Sequence, residues 1–220
     1  MTAGPGAPRV PVTVVDYGAG NLVSIEQALV AAGAAVRRAE RAAEIGDPAL
    51  LVVPGVGASA PAMERLREGG FVTAILDWTA ADRPYLGICL GLQLLFEESE
   101  EDGARTLGVL RGRTVRLDGA PTLPHIGWNQ VERRRDHPAF AGIEPGADFS
   151  FVHSYAGAPD DAGTVVAETE HGGRFPAAVA RGNLLGVQFH PERSGADGLR
   201  LVANVVRAAA TAAGIPTEVR

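Results

Sequence analysis

The chain has 220 residues, 46% of them hydrophobic, and a formal net charge of −6, which suits one compact domain around one sizeable core. Its basic residues are spread along the chain rather than gathered in a stripe, which argues against nucleic acid as a partner. No apolar run is long enough for a bilayer and no cleavable signal pattern opens the chain, so the expectation is a cytoplasmic protein with no membrane partner.

In chain order, residues 1–11 are small and proline-rich and are expected to form a flexible N-terminal extension, leaving 12–220 as a single domain. Val12 to Asp16 is a β-branched run ending in Gly18-Ala19-Gly20-Asn21. Leu22, Ile25, Leu29 and Val30 then follow helical spacing, which predicts strand, turn and helix. Gly33 is placed to stop that helix, Ala34 to Val36 reads as a short strand, and Leu50 to Val53 as a buried one entering Pro54-Gly55-Val56-Gly57. Met63, Leu66, Phe71, Ile75 and Leu76 predict one or two amphipathic helices. Pro84 to Ile88 reads as another strand, with Leu90, Leu94 and Leu95 continuing as a helix. Such alternation implies a parallel sheet covered on both faces. Beyond it lie turn-punctuated segments at Thr114 to Leu117, Trp128 to Glu132, Ser150 to Val152, Thr164 to Thr169, Pro176 to Ala180 and Leu184 to Phe189, several of them antiparallel. A closing helix from about Ala196 to Ala213 carries Leu199, Val202, Val205 and Val206 on one face. The fold class is therefore α/β, a three-layer domain with a mixed, largely parallel central sheet.

The composition also limits the chemistry. There is no lysine, which removes Schiff-base catalysis and the phosphate-binding lysine of a P-loop. The single cysteine rules out an intramolecular disulfide and a cysteine-based metal cluster. That cysteine, Cys89, stands in Gly87-Ile88-Cys89-Leu90-Gly91 between an apolar strand and a helix. This is the thiol version of a nucleophile elbow, in which glycines permit a sharp turn that lifts the side chain above the sheet. Backbone N–H groups at the start of the helix, with its dipole, favour a thiolate, and the Leu90 N–H can donate to an oxyanion. A lone cysteine is more often packing; the glycine frame reverses that reading.

A thiol nucleophile needs a base. Gln188-Phe189-His190-Pro191-Glu192 supplies one after an apolar strand, with Pro191 biasing His190 toward an extended backbone and Glu192 two residues on, facing the same side. A bond from Glu192 would fix the ring tautomer and leave the other nitrogen to the thiol. By itself, His-Pro-Glu is usually a solvated turn; the elbow makes it specific.

Gly-Ile-Cys-Leu-Gly-Leu-Gln-Leu-Leu-Phe at 87–96 and Gln-Phe-His-Pro-Glu at 188–192 closely resemble the class I, triad-type glutamine amidotransferases. Asp16-Tyr17-Gly18-Ala19-Gly20-Asn21-Leu22, Pro54-Gly55-Val56-Gly57, Pro124-His125-Ile126-Gly127-Trp128-Asn129 and Phe151-Val152-His153-Ser154-Tyr155 resemble, more narrowly, the glutaminase subunits of imidazole glycerol phosphate synthase. That resemblance implies hydrolysis of L-glutamine to L-glutamate and ammonia. The ammonia would pass to a cyclase partner with a (β/α)8 barrel, in a heterodimer that makes imidazole glycerol phosphate and an aminoimidazole carboxamide ribotide in histidine biosynthesis. It implies Cys89 as nucleophile, His190 as general acid and base, and Glu192 as the group that orients it. Glutamine recognition falls around Gly57, Gln93, Ser154 and Tyr155, and the oxyanion site between Leu90 and the Val56-Gly57 backbone. No cofactor or metal is implied. Three positions depart from the family: Ser59 replaces an aromatic residue, Arg193 a common lysine, and Ala156 an aromatic residue expected at the pocket rim.

Other readings fall short. Gly18-Ala19-Gly20 imitates a dinucleotide fingerprint, but Val23 stands at its sixth position. His125, His137, His153 and His171 lack zinc spacing, although His125 and His153 are candidates for lining the site or the partner face. The acidic run from Glu97 to Asp102 reads as a solvated face. A stand-alone cysteine hydrolase would normally place its acid before the histidine, and a non-catalytic subunit would have lost Cys89, His190 or Glu192. The glutaminase subunit of another amidotransferase is the alternative that remains, set aside by the resemblance of the blocks at Asp16 and Pro124.

Overall fold

The computed structural model describes residues 9–20 and 22–216; Asn21 and most of the expected N-terminal extension lie outside the described residues. The first strand, β1 (Val10–Val15), begins two residues before the expected Val12 and pairs in parallel with β2 (Ala34–Ala39) after helix α1 (Leu22–Ala31). Pro11 is tolerated there because a strand position whose N–H faces no ladder partner can lack a donor. Strand β3 (Leu50–Gly55) is followed by α2 (Ser59–Glu68) and α3 (Phe71–Ala80), so the amphipathic stretch resolves into two helices. They are separated at Gly70, whose φ of +74° suits glycine.

Strand β4 (Tyr85–Cys89) ends on the elbow, and α4 (Leu90–Gln93) that follows is a single turn, shorter than the expected helix through Leu95. After it come β5 (Glu98–Ser99), β6 (Gly112–Arg116), β7 (His125–Arg133), β8 (Ala147–His153), β9 (Tyr155–Pro159), β10 (Val165–Glu170), β11 (Arg174–Arg181) and β12 (Leu184–Val187). Helix α5 (Gly195–Ala212) closes the fold. The main sheet runs β2-β1-β3-β4-β12-β11-β10-β7-β8. It is parallel from β2 to β12 and antiparallel from β12 to β8. Strands β5, β6 and β9 form a small second sheet.

The period-2 rule of strands builds the layers. Leu50 and Val52 of β3, with Leu86 and Ile88 of β4, pack with α1 and α5 on one face. Leu51 and Val53, with Tyr85, pack with α2 and α3 on the other. On α5 the buried stripe is Leu201, Val202, Val205, Val206 and Ala209, while Leu199 is exposed. Leu199 sits roughly 200° around the helix from Leu201, so the expected face was rotated at its start. Val30, placed by spacing on the buried face of α1, and Leu76 of α3 are also exposed. All parallel strands end their carboxyl termini on one edge, where β3 and β4 deliver Gly55 beside Cys89. That edge is where ligands of open α/β sheets bind.

Candidate active site

Cys89 has φ +54° and ψ −110°, one of two non-glycine residues with positive φ among those described. A side chain held there is strained by about 1–3 kcal/mol and persists only because the surroundings demand it. The flanking glycines show what demands it. A Cβ on Gly91 would collide with the Val53 carbonyl, and one on Gly87 would meet the Gly91 backbone. The turn is thus pressed against β3, and the elbow reading of Gly-x-Cys-x-Gly is physically grounded. The expected dipole contribution shrinks, since one turn of helix sums few peptide dipoles. Leu90 is the first helical residue, and its N–H has no intrahelical acceptor by construction.

His190 is buried and its backbone is clamped. Its N–H donates to Ser150 O at 2.9 Å, and its carbonyl accepts from the Ser194 hydroxyl at 2.6 Å, while Ser194 Oγ itself accepts from Ser150 N–H at 3.0 Å. His190 Nδ1–H donates to Glu192 Oε1 at 2.9 Å, with both side chains nearly removed from solvent. The geometry behind that contact differs from expectation. His190 is extended, but Glu192 lies in a 3-10 turn, Pro191–Arg193, so it is a turn opened by proline that brings the carboxylate back. His190 Nε2 and Glu192 Oε2 are buried without a hydrogen-bond partner.

Burial opposes charge on His190, but interaction with Cys89 and with Glu192 outweighs it and raises its pKa from 6.5 to about 10. The Cys89 side chain is the larger of the two raising influences and the Glu192 carboxylate the next. Around Cys89, Sγ lies 4.0 Å from Val152 O and accepts from Gln188 Nε2 at 3.7 Å. Tyr17, buried with its hydroxyl unpartnered, occupies the space left by the missing side chain of Gly55. Burial and the nearby Cys89 push its pKa up.

Of the residues expected at the glutamine and oxyanion sites, Val56 alone lines the cavity beside His190 and Glu192. This cavity, of about 150 Å³, is lined by Val56, His190, Glu192 and Arg193, with Gly20 and Ser24 opposite. Gly57, Leu90, Gln93, Ser154 and Tyr155 are not part of its wall. Gln93 lies across the elbow, where its Nε2 donates to Tyr155 O at 2.7 Å and to Gln188 Oε1 at 3.1 Å. Ser154 is half-buried beside it and its carbonyl accepts from Leu117 N–H. Gly57 has φ +91° and open space around it, and Val56 is exposed. Ala156 is fully buried in β9 rather than at a pocket rim, because its neighbour across the ladder is Val115 of β6. Ser59 opens α2 and is buried with its hydroxyl unpartnered.

Gln188, Ser194 and Tyr17 carry structural weight that the motif reading left unassigned. Gln188 sat inside a quoted block and could have been found from strand alternation, since a glutamine directed inward must meet polar partners. Among the described residues, no group of three or more His, Cys, Asp or Glu side chains is placed to hold a metal ion. No helix among them is long and apolar enough to cross a membrane.

The family model described as glutamine amidotransferase class-I matches residues 13–208, and the chain belongs to that class. Its fold agrees. A crystal structure of a glutamine amidotransferase superposes with TM-score 0.71 at 22% identity, covering 90% of this chain and 98% of the other. PurLQS from Thermotoga maritima superposes with TM-score 0.73 at 20% identity, covering 91% and 99%. Sequence narrows the class. The chain is 46% identical over 213 residues to the imidazole glycerol phosphate synthase subunit HisH of Halobacterium salinarum, spanning 93% of this chain and 96% of that protein. It is 48% identical over 195 residues to the subunit of the same name from Symbiobacterium thermophilum, spanning 88% and 92%. Within its class the chain therefore belongs to the family of imidazole glycerol phosphate synthase subunit HisH, as the motif blocks implied.

Proposed function

We propose that Cys89, His190 and Glu192 hydrolyse L-glutamine to L-glutamate and ammonia by acyl transfer through a thioester. The observation that carries this reading is His190, clamped through its backbone by Ser150 and Ser194 and bonded to Glu192 at 2.9 Å. The Cys89 sulfur attacks the carboxamide carbon, forming the C–S bond and moving the carbonyl pair onto oxygen. The oxyanion meets the Leu90 N–H and a donor from the Val56-Gly57 backbone. Imidazolium His190 gives its proton to the amide nitrogen as the C–N bond breaks, which frees ammonia. Water then attacks the thioester carbon, His190 takes its proton, and glutamate leaves as the C–S bond breaks. Glu192 stabilises the imidazolium and fixes the Nδ1–H tautomer. Gly57, Gln93, Ser154 and Tyr155 bind glutamine in this reading.

The named relatives are one subunit of a synthase, and this chain acts with a second subunit. We assign that partner as the cyclase, a (β/α)8 barrel that takes the ammonia to make imidazole glycerol phosphate and an aminoimidazole carboxamide ribotide in histidine biosynthesis, in the cytoplasm. Exposed apolar side chains support a docking face near the site. Ile126 and Trp128 of β7 are 69% and 60% exposed, and Val152 pairs with Ile126 on β8. Glycines on either side of Val56 let its peptide rotate at low steric cost, so partner docking presents the oxyanion donor. Cys89→Ala in the complex tests the chemistry. Glutamine-dependent product formation disappears while ammonium still supports the cyclase reaction; glutamine turnover near the wild-type rate overturns the nucleophile assignment.

A further inference from the structure

A chain of hydrogen bonds runs from the outer strand β7 to the nucleophile, and two backbone carbonyls fix its direction. Asn129 Nδ2 donates to Glu170 O at 2.8 Å, so the amide's nitrogen end is set. The same nitrogen faces His125 Nε2 at 3.2 Å, which must then accept. A neutral His125 consequently carries its proton on Nδ1, 3.1 Å from His153 Nε2. His153 Nδ1 lies 2.8 Å from Tyr155 O, which can only accept, so His153 also carries its proton on Nδ1 and accepts at Nε2. Read from either end, both rings come out as the neutral Nδ1–H tautomer; a second proton on either sets two N–H groups face to face.

The Tyr155 carbonyl is where the chain turns inward. It also accepts from Gln93 Nε2 at 2.7 Å, which fixes the Gln93 amide. Gln93 Nε2 donates to Gln188 Oε1 at 3.1 Å, and that leaves Gln188 Nε2 directed at Cys89 Sγ, 3.7 Å away. We propose that Asn129, His125 and His153 are positioning residues for the glutaminase site. By locking two imidazole tautomers they hold the Tyr155 carbonyl, and through it the amides of Gln93 and Gln188, so that an N–H donor is aimed at the Cys89 sulfur. The proposal rests on Cys89 being the nucleophile. The surroundings favour neutral rings: Phe151 and Phe175 pack on His125, His171 stacks on it at 4.1 Å between centroids, and among the described residues no carboxylate bonds to either ring. Burial, reinforced by the neighbouring histidines, lowers His125 to about 4 and His153 to about 3. Without the lock, His153 can move its proton to Nε2 and turn a bare nitrogen toward Tyr155 O.

Two measurements test this on the complex with its partner subunit. Long-range proton–nitrogen NMR spectra of the histidine-labelled protein at neutral pH should show His125 and His153 as Nδ1–H tautomers. An Nε2–H tautomer at either overturns the relay. In kinetics, His125→Phe keeps the ring stack but removes the donor and should lower kcat for glutamine roughly two- to tenfold, the scale of one hydrogen bond. Ammonium-driven activity should stay unchanged, and His125→Asn, which restores an N–H near Nδ1, should recover most of the loss. Wild-type kcat in folded His125→Phe overturns the proposal. Should that variant not fold, the half-buried Asn129 carries the test. Asn129→Asp reverses the polarity facing His125 and should be slower than Asn129→Ala although it is closer in shape; equal rates overturn the proposal. Failure of the nucleophile assignment would register separately, as retained glutaminase in Cys89→Ala.

Discussion

Two buried histidine sites, one after β12 and the other on β7 and β8 beyond β11 and β10, are built for opposite charge. His190, after β12, has a carboxylate at 2.9 Å and a thiol beside it, and is raised to about 10. His125 and His153, paired across β7 and β8, have aromatic rings, a carbonyl and an amide, and fall to about 4 and about 3. Burial disfavours the charge in both places; the partner decides the outcome. The comparison separates a histidine whose partners favour its charge from histidines whose surroundings suit fixed donors and acceptors.

The sharpest way to break the contrast is Glu192→Gln, which removes the charge of the partner and keeps its shape. The protein should fold, and kcat should fall about 10³- to 10⁴-fold, since imidazolium loses its stabilising charge; steady-state glutaminase assays check this, and an unchanged kcat removes Glu192 from the triad. Gly57→Val leaves both histidine sites intact and should lower the partner-stimulated rate about 10²- to 10³-fold by denying the oxyanion a donor. The rates of the isolated chain, the binary complex and the complex with cyclase ligand measure it. Equal rates in all three wild-type states mean a preformed site.

The smallest effect is on stability against pH, where the two sites have opposite signs. A group raised from 6.5 to about 10, as His190 is, contributes stability that is full below 6.5 and lost as pH rises through about 10. His125 and His153, lowered to about 4 and about 3, contribute stability present above 6.5 and lost as pH falls through those values. Denaturant midpoints across pH should show His190→Ala flattening the alkaline limb and His125→Phe the acid limb.

Much of this was legible in the sequence because it is local. The elbow follows from two glycines framing Cys89, and the parallel half from apolar runs alternating with helical spacing. The existence of the His190-Glu192 pair was legible too, although the 3-10 turn that forms it was not, because an i to i+2 relation does not distinguish an extended segment from a tight turn. Strand β9 was missed. Tyr-Ala-Gly-Ala-Pro has no β-branched residue, and Gly157 is needed there because a Cβ would collide with the Phe96 ring, a contact 61 positions away in sequence. The extent of α4 and the rotation of the buried α5 face are likewise set by packing against the sheet. The hydrogen bond from Gln93 on α4 to Gln188 past β12, and the one between His125 on β7 and His153 on β8, join separate elements, so no periodicity announces them.

The central claim is that the one cysteine is the atom glutamine reacts with, activated by a charged His190. A chloroketone analogue of glutamine, incubated with the complex and followed by peptide mass spectrometry, tests it most directly. The account predicts one covalent adduct, on the peptide containing Cys89, formed in step with loss of glutaminase activity and slowed by glutamine, with ammonium-driven activity retained. Complete labelling of Cys89 with glutamine hydrolysis undiminished would contradict it.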